Sequence, residues 1–215
     1  MDKRTKNFIV GSLAVAAAAV ALYLAFADRS PKVNLDSYEV LGVVTAEETA
    51  KLVGNKGQVL LIVRNTGPNK NPSVEAELKA FQATLKKRSG MGAVIERIPV
   101  NPMMMMATGG GAPPDLFLKA LQAHPNISAV VLLFGFPQLI DSELETLKKS
   151  GAKVVVISSF RPGYKELFEW QAIHLAVIPR PDTQDTQAPG AQTPRTVRER
   201  FDQEYIIVTP ADAAR

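Results

Sequence analysis

The sequence predicts an α/β protein in which a doubly wound, mostly parallel sheet follows one transmembrane helix. Short apolar runs typical of buried strands alternate with longer amphipathic segments, and glycine- and proline-rich loops separate them. A stretch of 19 residues without a charge precedes this alternation, at 8–26. Regular alternation with short connections is typical of a Rossmann-like or flavodoxin-like lobe with right-handed crossovers.

The uncharged stretch at 8–26 predicts a signal anchor that holds the chain in a lipid bilayer. As a helix it would be ~28 Å long, close to the ~30 Å hydrocarbon core of a membrane. Residues 1–7 carry three positive charges and one negative charge. The positive-inside rule therefore predicts a cytoplasmic N-terminus and a periplasmic domain at a bacterial inner membrane. The alternative is a cleaved signal peptide, since Ala25-Phe26-Ala27 fits the small-x-small cleavage pattern.

Residues 27–57 are predicted to form a stalk that ends in one short helix. Thr45 and Glu48 have the spacing of a capping box, in which each side chain accepts a hydrogen bond from the other residue's backbone N–H. Gly54 suits the end of that helix, because glycine readily adopts the left-handed conformation that follows a last turn.

The α/β lobe itself is predicted at 58–180. Its first long helix carries apolar residues at i, i+4, i+7 and i+11, which is one face of an amphipathic helix. Five apolar runs predict its strands, and these lie at 59–63, 93–100, 129–134, 153–158 and 173–178. Residues 181–195 read as a linker or long loop. Residues 196–215 then form an extension with a short helix and a last strand at Tyr205 to Val208.

Composition and motif spacing exclude several function classes. The chain has no cysteine, which removes disulfides, thiolate nucleophiles and cysteine-ligated metals. Its histidines, His124 and His174, have no acidic partner at metal-ligand spacing, so no metal is expected. The dinucleotide, Walker A and nucleophile-elbow motifs are missing, which predicts a protein that is not an enzyme and uses no cofactor. The domain has one compact basic run, 86–88, too little for a nucleic-acid binder.

Polar residues follow the predicted strands where an open α/β sheet binds its ligands, at the carboxyl ends. The candidates for contacting an anionic or hydroxylated ligand are Arg64, Asn65, Ser158, Ser159 and Arg161. The other interpretation of these residues is that they satisfy local backbone groups in loops.

Four consecutive methionines stand beside a triple glycine in a predicted loop after the second strand. Methionine side chains are flexible and adapt to irregular surfaces. Met103, Met104, Met105 and Met106 are therefore candidate contacts with a partner protein or a membrane. The alternative is that this loop folds back over the domain's own core.

Residues 58–180 resemble the N-terminal lobe of type I periplasmic binding proteins, the family of sugar-binding proteins and related repressors. The resemblance lies in the apolar first strand, in Asn71-Pro72 at the start of the first long helix, and in the unit that joins an apolar strand to a helix through Phe134-Gly135-Phe136-Pro137. The segment 148–153 and the apolar strand after it match the family's spacing too.

The chain also departs from the family's pattern. Ser73 stands where an aromatic residue is common, and 158–161 replaces an acidic residue that often follows the fourth strand. The family binds small ligands between two lobes, whereas this chain has room for one. The resemblance therefore implies the fold but puts sugar binding in doubt.

Two functional hypotheses follow. The first is a non-catalytic accessory subunit that joins other membrane-protein subunits of a respiratory or photosynthetic complex through the anchor at 8–26. The alternative is a small-ligand receptor or sensor in which two copies of the single lobe form a cleft.

Overall fold

A computed structural model describes residues 16–23, 34–68, 70–158, 163–180 and 196–213. The chain divides into two compact units, 1–34 and 35–215. In the first unit, residues 16–23 form a helix, α1, whose side chains are exposed. The second unit contains every other helix and strand described below.

The predicted transmembrane helix at 8–26 falls mostly outside the described residues. Only 16–23 of that range is described, and it is helical. None of the helices in the described ranges has both the length and the apolar character required to cross a bilayer. The cleavage pattern at 25–27 and the linker at 181–195 also lie outside the described residues. Anchoring and location in the cell therefore stay predictions.

The second unit alternates strands and helices along most of its length. The strands are β1 (Gln58–Asn65), β2 (Gly92–Pro99), β3 (Ile127–Leu132), β4 (Lys153–Ile157), β5 (Leu175–Pro179) and β6 (Tyr205–Val208). The helices are α2 (Asp36–Leu52), α3 (Pro72–Ser89), α4 (Pro102–Ala107), α5 (Pro114–Ala123), α6 (Asp141–Ser150), α7 (Tyr164–Glu169), α8 (Val197–Glu204) and α9 (Pro210–Ala213).

The strands form one six-stranded sheet in the order β2-β1-β3-β4-β5-β6. Neighbouring strands from β2 to β5 pair in parallel, and β6 pairs antiparallel to β5. The chain continues from β1 to β2 on one side of β1, and from β3 to β4 on the opposite side. Because of this reversal, α3, which follows β1, and α6, which follows β3, lie on opposite faces of the sheet. The predicted α/β class and mostly parallel, Rossmann-like sheet are confirmed.

Helices cover both faces of this sheet. Val59, Leu61 and Val63 of β1 pack in the core beneath α2, α3 and α8, whereas Leu60 and Ile62 pack in the core beneath α5, α6 and α7. Successive side chains of a strand point to opposite faces, so a strand buried on both sides must be apolar at every position. This is the physical reason for the unbroken apolar run at 59–63.

Helix α2 differs from the prediction of a stalk with a short, capped helix. The helix begins at Asp36, and Thr45 lies within it, fully buried. The predicted capping box at Thr45 is wrong, because residues before Thr45 already continue the helix and leave it no free N-terminus to cap. Asp36 and Glu39 in the first turn favour the earlier start, since acidic groups stabilise a helix N-terminus. Much of the predicted stalk is therefore a core helix.

The four methionines form the short helix α4 rather than the predicted loop. Asn101 caps the helix, with its side-chain oxygen accepting a hydrogen bond from the Met104 N–H at 2.8 Å. Met103 and Met106 are 81% and 86% exposed. The nature of any partner for these side chains stays a prediction.

A close crossing between α2 and α3 depends on Gly42, and this makes a first testable prediction. A Cβ atom at Gly42 would clash with the backbone oxygen of Glu77 and would lie 3.1 Å from the Cβ of Ala80. Gly42→Ala should therefore lower the free energy of unfolding by ~1–3 kcal/mol, as overpacking usually does. Urea denaturation measures this. Gly92→Ala is the matched control, because no described atom lies within 4 Å of its new Cβ; equal losses in the two variants would contradict the close crossing.

Candidate functional site

A cavity of about 290 Å³ lies at the carboxyl ends of β1, β3, β4 and β5. This edge is where open α/β sheets bind ligands, because the loops and helix N-termini there converge. The cavity is also bordered by α2, by α3 and by the glycines after α4. The lining side chains that bear polar or aromatic groups are those of Tyr38, Arg64, Glu77, Phe134, Ser158 and Tyr205.

Arg64 and Ser158 come from the ends of β1 and β4. The Arg64 guanidinium carbon lies 5.6 Å from the centroid of the Phe134 ring, a cation–π geometry that holds an exposed cation beside the cavity. Ser158 is buried, and its backbone N–H donates to the Val177 carbonyl oxygen at 3.1 Å. The sheet therefore positions both residues through rigid backbone, which favours a preformed site.

Glu77 is the most unusual residue of the cavity. It lies in the middle of α3, is 6% exposed, and its Oε1 has no hydrogen-bond partner in the described part of the chain. Burial raises the pKa of this carboxyl to about 8, because the charged form loses its hydration. An unsatisfied buried carboxyl destabilises the fold, and such groups concentrate at functional sites.

Two tyrosines approach Glu77 from other elements. Burial, followed by the charges of Glu204, Glu77 and the Tyr38 phenol, raises the pKa of Tyr205 to about 12. The Tyr205 phenol therefore stays protonated at neutral pH and can donate a hydrogen bond to a ligand. The Ser37 hydroxyl donates to the Glu204 carboxylate at 2.8 Å, which joins α2 to α8 beside the cavity.

Glycines shape the rim at the end of α4. A Cβ atom on Gly111 would clash with the backbone oxygen of Phe136, and one on Gly135 would lie 3.0 Å from the Cα of Gly111. Gly110 has φ +87°, a conformation that other residues rarely adopt. The triple glycine therefore allows two loops to pack backbone against backbone at the edge of the cavity.

The structure brings together part of the predicted ligand-binding set. Arg64 and Ser158 line one cavity. Asn65 instead closes a turn, with its side-chain oxygen accepting from the Gly67 N–H at 2.9 Å. Ser159 and Arg161 lie outside the described residues.

Sequence reasoning missed Tyr38, Glu77 and Tyr205. One signal was present for Glu77, because it lies beside Leu78 in the apolar stripe of α3, where a carboxylate is out of place. No comparable signal marks the tyrosines, since α2 and β6 lie far apart in sequence and meet only in the fold.

A second cavity, of about 400 Å³, lies beside α6 and α7. Its lining is mostly apolar and includes Phe136, Leu144 and Trp170, with Glu166 as its charged side chain. We favour the first cavity as the binding site, because convergent polar groups around an apolar wall are what fixes a small ligand.

The two histidines have structural surroundings. The Nδ1 of His174 accepts a hydrogen bond from the Val154 N–H at 3.2 Å, and burial, followed by the charge of Lys153, lowers the pKa of its imidazole to about 4. The Nε2 atom of His124 lies 3.6 Å from a carboxylate oxygen of Glu96. Across the described ranges, no three histidine or acidic side chains are grouped so as to hold a metal ion.

Comparison with solved structures identifies the fold. An arabinose-binding protein from Geobacillus stearothermophilus matches with a TM-score of 0.50 and 15% identity, over 82% of this chain and 62% of that one. A solute-binding protein from Agrobacterium vitis, bound with alpha-D-tagatopyranose, matches with a TM-score of 0.51 and 13% identity, over 81% of this chain and 57% of that one. A chain of the XylFII-LytSN complex matches with a TM-score of 0.54 and 15% identity, over 81% of this chain and 60% of that one. No protein-family model and no curated protein matches the sequence.

These likenesses correct the main functional expectation. Two of these proteins, the arabinose-binding protein and the solute-binding protein, bind sugars, which contradicts the hypothesis of an accessory subunit in a respiratory or photosynthetic complex and agrees better with the alternative of a small-ligand receptor. The chain spans 57–62% of the length of these three proteins. The resemblance seen in the sequence is confirmed for the fold alone: the second unit folds like a lobe of these binding proteins.

Proposed function

We propose that this chain is a non-catalytic receptor lobe that binds a small hydroxylated ligand at the carboxyl edge of its sheet. The observation that carries the proposal is the cavity itself, which is lined by Arg64, Ser158, Tyr38 and Tyr205 together with the Phe134 ring. Hydroxyl, guanidinium and aromatic groups together suit a small polar ring or chain. The sugars bound by proteins of the same fold support this class of ligand.

The size of the cavity limits the ligand. A volume of about 290 Å³ is just below the ~300–1,000 Å³ usual for ligand pockets. It suits a molecule the size of a monosaccharide or an amino acid better than a nucleotide. The exposed methionines of α4 lie at the same edge, where they offer an adaptable surface to a second lobe. Pairing of two copies over the ligand is part of this proposal.

Ligand binding can be tested by thermal denaturation with a panel of monosaccharides. A true ligand at 100 times its Kd should stabilise the folded lobe by ~2.7 kcal/mol, with a corresponding rise in Tm. Arg64→Ala should weaken binding at least tenfold, because it removes the cation at the cavity wall and bares the Phe134 ring.

The chain's single tryptophan supplies the matched control for this experiment. Trp170 lines the second cavity, so Trp170→Phe should leave the affinity unchanged. Loss of binding in Trp170→Phe with none in Arg64→Ala would place the ligand in the second cavity and contradict the proposed site. Absence of any Tm shift across the panel would count against sugars as the ligand class.

A further inference from the structure

Glu77 is a buried acid for which the described residues supply no ion-pair partner. The nearest cation of the cavity, Arg64, lies over the Phe134 ring and forms no ion pair among the described residues. Besides Arg64, the titratable groups around this cavity are phenols or acids: Tyr38 of α2 and Tyr205 of β6 line it with Glu77, and Glu204 of α8 acts electrostatically on Tyr205. The inner end of the cavity, where Glu77 lies, therefore holds no described cation that pairs with this carboxyl.

The placement of Glu77 does not follow from packing alone. Gly42 lets α2 approach the backbone of α3 at Glu77 itself, and the resulting burial leaves the carboxyl almost without solvent. A leucine or glutamine there would avoid the desolvation of a charge. Since Oε1 has no hydrogen-bond donor from the described chain, a donor from a bound molecule would satisfy it.

We infer that the inner end of this cavity binds the ammonium group of a small organic amine, with Glu77 as its counter-ion. Without a cation beside it, Glu77 stays protonated at neutral pH, and a hydroxyl would donate a hydrogen bond to Oε1 without favouring the ionised form. An ammonium group supplies three donors and the opposite charge, so it satisfies the carboxylate fully. Tyr205 lines the same cavity as Glu77, so its phenol can offer the ligand a hydroxyl group.

This inference rests on the proposed ligand-binding role of the cavity and narrows the ligand to an amine. Two sources share that chemistry, an amino sugar and an amino acid. If the ligand is an amino acid, Arg64 of the same cavity would bind its carboxylate. If it is an amino sugar, the two phenols and Ser158 would form hydrogen bonds with its hydroxyl groups.

Calorimetric titration with matched pairs separates these cases. The probes are glucosamine with glucose, and serine with glyceric acid, which differ at one position by an amine in place of a hydroxyl. At least one amine should bind ten or more times tighter than its hydroxyl partner. Glu77→Gln should abolish that preference, while Glu169→Gln, which changes an exposed carboxyl on α7, should retain it.

The outcomes distinguish this inference from the function on which it rests. Glucose or glyceric acid binding as tightly as its amine partner would overturn the ammonium site and leave the receptor function standing. The same holds if Glu77→Gln keeps the full preference for the amine. Failure of all four probes to bind would overturn the ammonium site. The thermal-denaturation experiment with the monosaccharide panel would then decide whether the receptor function holds.

Discussion

Phe201→Ala should lower the free energy of unfolding by ~3–5 kcal/mol, the usual cost of removing a buried phenyl ring. Phe201 belongs to α8, close to the C-terminus, yet its side chain is fully buried in the core beneath α2 and α3. Its ring centroid lies 5.5 Å from that of Tyr205. Urea denaturation of the full chain measures the loss, and weaker ligand binding should accompany it because Tyr205 lines the cavity.

The control for this prediction lies one turn away. Val197 is on the same helix and is 46% exposed, so Val197→Ala should change stability by no more than ~0.5 kcal/mol. A loss below ~1 kcal/mol in Phe201→Ala would mean that α8 does not dock on the sheet as described. In that case the antiparallel β6 and the Tyr205 wall of the cavity would be in doubt as well.

Glu77→Gln should make the protein more stable at neutral and alkaline pH. The unfolded chain releases the Glu77 proton near pH 4.5, whereas the folded protein keeps it up to about pH 8. Between these values folding must take up a proton, so this residue makes the wild-type protein less stable as pH rises. The slope is at most about 1.4 kcal/mol per pH unit, and the total is on the order of several kcal/mol.

Urea denaturation at a series of pH values tests this effect, and the difference between wild type and variant isolates it. His174 acts in the opposite direction, because its lowered pKa makes folding less favourable as pH falls from 6.5 towards 4. The contribution of His174 is the same in the wild type and in Glu77→Gln, so it cancels in the difference between their free energies of unfolding. Glu169→Gln should leave the wild-type profile unchanged, since this carboxyl is exposed. A Glu77→Gln profile that runs parallel to that of the wild type would show that Glu77 is not buried.

Much of the architecture could be predicted from local pattern. The strands at 59–63 and 153–158 were recognisable because a strand covered on both faces is apolar at consecutive positions, and these predictions are confirmed as β1 and β4. The first long helix was recognisable from its stripe, and α3 does begin at Pro72. Boundaries were less certain where a helix start lacks a side-chain cap. This is the case for α2, whose N-cap residue Leu35 offers none.

The candidate site was half predictable. Arg64 and Ser158 were found because the carboxyl ends of parallel strands meet at one edge whatever the helices do. Tyr38 and Tyr205 were not found, because they reach the cavity from a helix before the first strand and from an antiparallel strand after the last helix. Their convergence depends on how α2 and α8 pack on the sheet, and local sequence does not encode that packing.

By itself the sequence determined the class of fold, because hydrophobic periodicity distinguishes buried strands from amphipathic helices at short range. It also determined that thiol and disulfide chemistry is out of reach, since the sequence has no cysteine. Only the tertiary structure decided that α8 and β6 pack onto the domain, and that Oε1 of Glu77 is buried without a hydrogen-bond partner among the described residues. Burial and missing hydrogen bonds depend on what surrounds a side chain in space, and segments distant in the chain supply those surroundings.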